Sequence, residues 1–169
     1  MLITIVDENN RVIGSAPRNE VVAKGIWHRI VVVLVFNTKG QIYIQKRAPH
    51  VQSSPNLWDH SAAGHVDAEE EPDEAAKREL KEELGIIAEG LKYISTYTTQ
   101  RSEGDKHYNR YWYLYTHTSD EIFSLQEEEV AEGKFVDISW LEQQLLTNPD
   151  IYTDGIKKSI EMYVASKAV

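Results

Sequence analysis

Residues 64–86 read GHVDAEEEPDEAAKRELKEELGI. They satisfy every specified position of the pattern G-x5-E-x7-R-E-U-x-E-E-x-G-U, with U an aliphatic residue. The fixed residues are Gly64, Glu70, Arg78, Glu79, Glu82, Glu83 and Gly85, and Leu80 and Ile86 fill the aliphatic positions. At roughly 6–7% usage per residue type, the fixed identities coincide by chance on the order of once in 10⁸ starting points. Glu71-Pro72-Asp73-Glu74 reads as a helix start, because proline is tolerated in the first turn and acids complement the positive end of the helix dipole. Gly85 suits the position just past the helix end. Ala76, Leu80 and Leu84 recur every four residues and form an apolar stripe that anchors the helix on a sheet. Glu79, Glu82 and Glu83 stand at i, i+3 and i+4, so their carboxylates share another face. Like charges so placed destabilise a bare helix, and a hard divalent cation with a preference for oxygen relieves them. Mg²⁺ fits that description, and Arg78 is placed to orient one of the glutamates. An acidic helix face is ordinarily just solvated. Here the spacing of the carboxylates, on a helix that follows an extended segment (Leu57 to Gly64) and a short acidic loop, favours a metal site.

Length and composition suit one enzyme domain spanning 1–169. With 169 residues and 41% hydrophobic content the chain can bury a core. The formal charge of −9 argues against a nonspecific nucleic-acid or membrane surface. The absence of cysteine excludes disulfides, thiolate metal sites and cysteine nucleophiles. The opening MLITIVDENN has no basic n-region or long apolar run, so a cytoplasmic location is expected.

Leu2 to Val6 and Arg11 to Gly14 flank a turn-prone Asp7-Glu8-Asn9-Asn10 and read as a hairpin. Glu20 to Lys24 is a short helical turn. Trp27 to Phe36 contains the unbroken run Ile30–Val35, which implies a strand buried on both faces. A turn at Thr38-Lys39-Gly40 leads to a strand from Gln41 to Arg47, then a loop over residues 48–56. Further strands are expected at Leu91 to Thr99, His107 to Thr116 and Gly133 to Val136, and helices at Ser139 to Leu146 and Asp150 to Ala165.

The 64–86 pattern is that of the Nudix box, and the resemblance covers most of the chain. The DENNRVIG hairpin, WHR leading into an apolar strand, NTKGQIYIQKRA and P-x-LWD together resemble the isopentenyl-diphosphate-isomerase-like branch of the Nudix superfamily. The implied fold is α/β: an α/β/α sandwich with a mixed sheet and an N-terminal β-hairpin. That branch contains isomerases and hydrolases. Type I isomerases carry a cysteine just before the Gly-His that opens the box, where this chain has Ala63. Their metal site combines three histidines with two glutamates. His28 and His65 match two of the histidines, no counterpart of the third occurs between Val21 and Lys24, and Tyr108 and Arg110 stand where the glutamates belong. The isomerases also have a degenerate box, whereas Glu79 and Glu82 are both present here.

The resemblance therefore implies a pyrophosphohydrolase that cleaves a nucleoside diphosphate linked to another group X, with water attacking phosphorus. By the same resemblance Glu79, Glu82 and Glu83 hold Mg²⁺ or Mn²⁺, with Glu70 and the Gly64 carbonyl as auxiliary ligands. The general base lies either in the box or on a late loop, where Glu127-Glu128-Glu129 offers Glu129; an ordinary acidic surface loop is the alternative. Arg47 matches a diphosphate-binding position, and its planar fork suits phosphate oxygens. Lys46 should point the other way. Arg110 could likewise reach substrate phosphate, and Tyr111, Trp112 and Tyr113 either stack a base or fill the core. The expected partner is a small-molecule diphosphate, with no nucleic acid or membrane, acting on a monomer or homodimer. An isopentenyl-diphosphate isomerase and a noncatalytic nucleotide-binding module are the alternatives.

Overall fold

The computed structural model describes residues 1–121 and 123–168. Strand β3 (His28–Phe36) is its axis. Val31 to Val35 are completely buried, and alternation divides them between two cores. Ile30, Val32 and Leu34 pack with Trp112, Leu114, Leu141, Ile156 and Ile160. On the other face Val31, Val33 and Val35 pack with Ala75, Ala76, Leu80, Leu84 and Ile86. Each fully buried Val or Leu contributes about 1.5–3 kcal/mol relative to exposure.

Strand β8 (Lys106–Thr118) runs parallel to β3, from His28 opposite Arg110 to Phe36 opposite Thr118. Its hairpin partner is β7 (Lys92–Glu103). Both are longer than expected because the turn between them is tight, with Gly104 at φ +58°. Strand β6 (Ala62–His65) lies antiparallel along β3, Ile30 opposite His65 and Val33 opposite Ala62. Strands β1 (Leu2–Val6) and β2 (Val12–Pro17) form the N-terminal hairpin. Its turn is tied by the Asp7 carboxylate, which accepts from the backbone N–H groups of Asn9 and Arg11 at 2.8 and 2.9 Å. Strand β4 (Ile42–Arg47) pairs with β5 (Trp58–Asp59) and β9 (Val130–Val136). Helix α1 (Arg18–Lys24) is short, α2 (Pro72–Leu84) covers one core, and α3 (Ile138–Thr147) and α4 (Asp154–Lys167) cover the other. Helices on both sides of a mixed sheet make the α/β/α sandwich.

Further elements depart from the sequence reading. The extended stretch 57–64 is two strands, broken at His60-Ser61, where the chain crosses from β4 to β3. The Ser61 hydroxyl makes the crossing possible by accepting from Val35 N–H at 2.9 Å and donating to the Tyr43 carbonyl at 2.5 Å. Strand β9 starts at Val130 rather than Gly133, because Val130 is buried and pairs with Arg47 inside a segment whose glutamates conceal it. The last helix begins at Asp154. Before it, Pro149–Ile151 form a single 3-10 turn, and Thr153 caps α4 while donating to Asp59 at 2.7 Å.

Candidate active site

Helix α2 starts with Pro72 in its first turn and a reciprocal capping box between Glu71 and Glu74, and ends at Gly85, whose φ of +71° few other residues tolerate. Its apolar stripe is buried as expected, so the carboxylate face turns toward β6 and β4. The three glutamates fan out across that face. Glu83 is 5% exposed, the Glu79 side chain 14% and the Glu82 side chain 53%. Glu82 therefore stands at the rim and the other two inside.

Gly64 explains how Glu79 gets in. A Cβ on Gly64 would lie 2.0 Å from Glu79 Oε1, so the carboxylate occupies the space that any larger residue would fill. Burial raises Glu79 to about 7, against the pull of Arg78 and with help from the charges of Glu82 and Glu129. Burial also raises Glu83 well above the ordinary carboxylate range, reinforced by Glu79, Asp59 and Glu129. Glu129 thus lies where its charge bears on both inner carboxylates. The loop that carries it is stitched to both neighbours: Ser124 N–H donates to the Leu84 carbonyl at 3.1 Å, and Ala48 N–H to the Glu129 carbonyl at 2.8 Å.

Arg78 does more than orient one glutamate. Its Nε and Nη2 bind the two Glu70 oxygens at 2.9 Å each, Nη2 also donates to the His65 carbonyl at 2.9 Å, and Nη1 reaches Glu79 at 2.7 Å and Glu82 at 3.3 Å. The guanidinium fastens the loop after β6 to α2. Glu70, expected as an auxiliary ligand, is engaged bidentately by Arg78 and also accepts from Asp67 N–H at 3.0 Å. Burial opposes its ionisation, but these hydrogen bonds lower its pKa.

Gln45 is a site residue that the sequence reading missed. Its amide donates to Glu83, and its buried Oε1 has no hydrogen-bond partner among the described residues. A polar side chain in the buried strand Ile42–Gln45 was the available signal. Two crowded inner carboxylates, a rim carboxylate and an orphaned amide oxygen are a hard-oxygen donor set that fits Mg²⁺ or Mn²⁺. Among the described residues no three acidic or histidine side chains converge on one point; Arg78 engages Glu79 and Glu82, and Gln45 engages Glu83.

Arg47, two residues beyond Gln45, donates to the Ser53 carbonyl at 2.8 Å and pairs with Asp59 at 3.3 Å. Lys46 points away as alternation requires, toward Glu132 and the Trp58 ring. Asp59 also lies 2.7 Å from His60 Nδ1. Burial opposes its charge, yet His60, Thr153 and Arg47 hold it well below the usual carboxylate range. His60 Nε2 lies 2.8 Å from the Ser159 hydroxyl. This Asp-His-Ser chain is sealed, with Ser159 fully buried, so it ties β5 to α4 and has no access to a substrate.

Arg110 is separated from the carboxylates. Together with Trp112 it faces the α4 side of β8, whereas Glu79 and Glu83 lie on the α2 side. Trp112 is core, Tyr111 donates to the Glu8 carbonyl and Tyr113 accepts from Asn10, so these aromatics form no open stacking platform. His28 and His65 stack beside Arg110, with ring centroids 5.5 Å apart.

An α/β/α sandwich carrying this glycine-cradled acidic helix defines a class, and comparison with known proteins agrees. The NUDIX domain model matches residues 26–159, so the chain belongs to the Nudix family. It is 36% identical over 133 residues to an uncharacterised Nudix hydrolase of Listeria monocytogenes, covering 78% of this chain and 77% of the relative. It is 32% identical over 165 residues to an isopentenyl-diphosphate Δ-isomerase of Photorhabdus laumondii, covering 94% and 90%. A crystal structure of a Deinococcus radiodurans protein shares the fold with TM-score 0.80 at 20% identity, covering 95% of this chain and 98% of that one. Relatives of both names mark the isopentenyl-diphosphate-isomerase-like branch, and within it this chain is a Nudix hydrolase acting on phosphoanhydride bonds.

Proposed function

We propose that residues 1–169 act as one metal-dependent pyrophosphohydrolase domain, cleaving a nucleoside diphosphate linked to another group, or a related organic pyrophosphate, by attack of water on phosphorus. The observation that carries this reading is the pair of buried carboxylates, Glu79 and Glu83, whose charged forms are unfavourable until a cation joins them. Glu79, Glu82 and Glu83 would hold Mg²⁺ or Mn²⁺, with Gln45 and the Gly64 carbonyl beside them. When bound, the cation supplies a lowered pKa for water and neutralises charge on the bridging and leaving oxygens. Glu129, free of the Arg78 network, is the proposed general base. Arg47 offers the diphosphate the edge of its guanidinium that neither Ser53 nor Asp59 takes. Arg78 holds the loop and helix in register.

The isomerase relatives favour a second reading, in which the chain isomerises isopentenyl diphosphate. The chain has no cysteine to act as the acid-base thiol, and Ala63 stands at that position. A phosphate- and pyrophosphate-release screen over nucleotides, sugar nucleotides and isoprenoid diphosphates, with Mg²⁺ or Mn²⁺, separates the readings. Hydrolysis that Glu82→Gln and Glu83→Gln each reduce by orders of magnitude, while the folded spectrum is kept, is the expected outcome. Conversion of isopentenyl diphosphate to dimethylallyl diphosphate without hydrolysis, read by NMR, would replace the proposal. Tight nucleotide binding without turnover would make the protein a binding module instead.

A further inference from the structure

Arg47 ends β4 with a half-exposed guanidinium that has two anchors. One is the Ser53 carbonyl, 2.8 Å from Nε, on an exposed residue of the loop after β4. The other is Asp59, whose side chain is 13% exposed and whose Oδ2 lies 3.3 Å from Nη1. The second Asp59 oxygen is engaged by the protein itself. Oδ1 accepts from His60 N–H at 2.9 Å and from the Thr153 hydroxyl at 2.7 Å, and His60 Nδ1 lies 2.7 Å from it. The carboxylate is thus clamped through one oxygen and directs the other to Arg47.

The clamp continues into the core. His60 Nε2 lies 2.8 Å from the Ser159 hydroxyl, and that hydroxyl lies 2.6 Å from the Tyr97 hydroxyl. When the neutral ring carries its proton on Nδ1, facing Asp59, Nε2 accepts from Ser159, which accepts from Tyr97. One consistent set of protons then runs from β7 to β5. Helix α4 is shaped around the ring, since a Cβ on Gly155 would lie 2.9 Å from His60 Cε1. Glycine weakens a helix relative to alanine, and the space it frees here is taken by His60. A strut between β5 and α4 needs no charge: the amide oxygen of an asparagine at position 59 would serve Thr153, His60 N–H and the neutral imidazole alike. Burying a carboxylate carries a desolvation cost that an amide avoids. The charge is matched by Arg47, the cation paired with it at the edge of the site.

We propose that Asp59 is a positioning residue for Arg47, and that the chain of Asp59, His60, Ser159 and Tyr97 holds the guanidinium with its free edge turned to the substrate diphosphate. The proposal rests on the reading of Arg47 as the diphosphate grip. Planar, bidentate recognition of phosphate depends on orientation as well as on charge. An anchor at Nε alone leaves the two distal nitrogens free to swing, and Asp59 removes that freedom. Helix α4 thereby contributes to phosphate binding from the opposite side of the sheet.

Calorimetric titration of imidodiphosphate, an uncleavable diphosphate, into the 169-residue protein with Mg²⁺ tests this without turnover. Wild type, Arg47→Ala, Asp59→Asn and the double variant are compared, each with its folded spectrum and melting temperature. Arg47→Ala and Asp59→Asn should each weaken binding about tenfold. Adding Asp59→Asn to Arg47→Ala should weaken it by less than about twofold more, because a residue that acts through Arg47 then has nothing to act on. Ser159→Ala, which removes one buried hydroxyl from the chain, should weaken binding several-fold with Arg47 present and not with it absent; this pair decides the matter should Asp59→Asn fail to fold. Unchanged affinity in either Asp59→Asn or Ser159→Ala, with only a lower melting temperature, would reduce the chain to a strut and overturn the proposal. A loss equally large with Arg47 absent would also overturn it, by routing the effect of Asp59 through Glu83, on which its charge bears. Unchanged affinity in Arg47→Ala would remove the grip and the proposal with it, leaving hydrolysis in the phosphate-release screen untouched. Conversely, the expected binding pattern in a protein that hydrolyses nothing in that screen would uphold the positioning role and count against the hydrolase reading alone.

Discussion

Gly64 and Glu79 show how much of this site depends on a missing side chain. Because a Cβ at position 64 would coincide with the Glu79 carboxylate, Gly64→Ala must push Glu79 out of its recess or shift β6. Overpacking of this kind costs about 1–3 kcal/mol. The expected result is a modestly lower melting temperature with kcat reduced at least about tenfold, since each 1.36 kcal/mol lost from the transition state is a factor of ten. Wild-type turnover in Gly64→Ala would separate Glu79 from the chemistry. Titration gives a second handle on the same carboxylate. With its folded-state pKa raised from 4.5 to about 7, Glu79 favours the fold fully below about pH 4.5, and that contribution is lost as pH rises through about 7. Stability of the metal-free wild type, measured relative to Glu79→Gln, should therefore fall between pH 5 and 8, and added Mg²⁺ should restore it. The subtraction matters because His28, lowered to about 4 by burial, loses stability in the opposite direction as pH falls. A flat difference curve would contradict the buried-carboxylate account.

At the scale of elements, the loop after β6 and helix α2 are joined through one guanidinium. Arg78→Lys keeps the charge but cannot bridge Glu70, Glu79, Glu82 and the His65 carbonyl together. It should cost about 1–3 kcal/mol, accelerate amide exchange in residues 66–71, and lower kcat more than it raises KM. Unchanged exchange in that loop would show that Arg78 is not its fastening. The boundaries and apolar stripe of α2 were legible in the sequence because caps, dipole and periodicity all agree there. Arg78 was legible only as a partner of one glutamate, since its contacts reach back across a turn whose path no local rule sets. Gln45 was hidden for the same reason: its bond to Glu83 depends on which strand lies under the helix. The break at His60-Ser61 was hidden because it answers to the divergence of β3 and β4. Arg110 stood out among the aromatics of its strand as a candidate for substrate phosphate, but strand pairing, which composition does not reveal, puts it on the far face with His28.

Across the whole molecule, β3 separates two cores and with them two kinds of polar site. The α2 side collects carboxylates around Arg78, and the α4 side holds His28, His65 and Arg110. The net charge of −9 gives no hint of that division. Residues 26–159, matched by the family model, contain β3, the acidic helix and the Glu129 loop. The central claim is that these elements direct water onto phosphorus, and hydrolysis in H₂¹⁸O followed by ³¹P NMR tests it most directly. With Mg²⁺ and a nucleoside diphosphate linked to a second group, ¹⁸O should enter one phosphate of the products, and both turnover and label should disappear with chelator or in Glu83→Gln. Products without ¹⁸O on phosphorus, or label that enters equally in Glu83→Gln, would contradict the account.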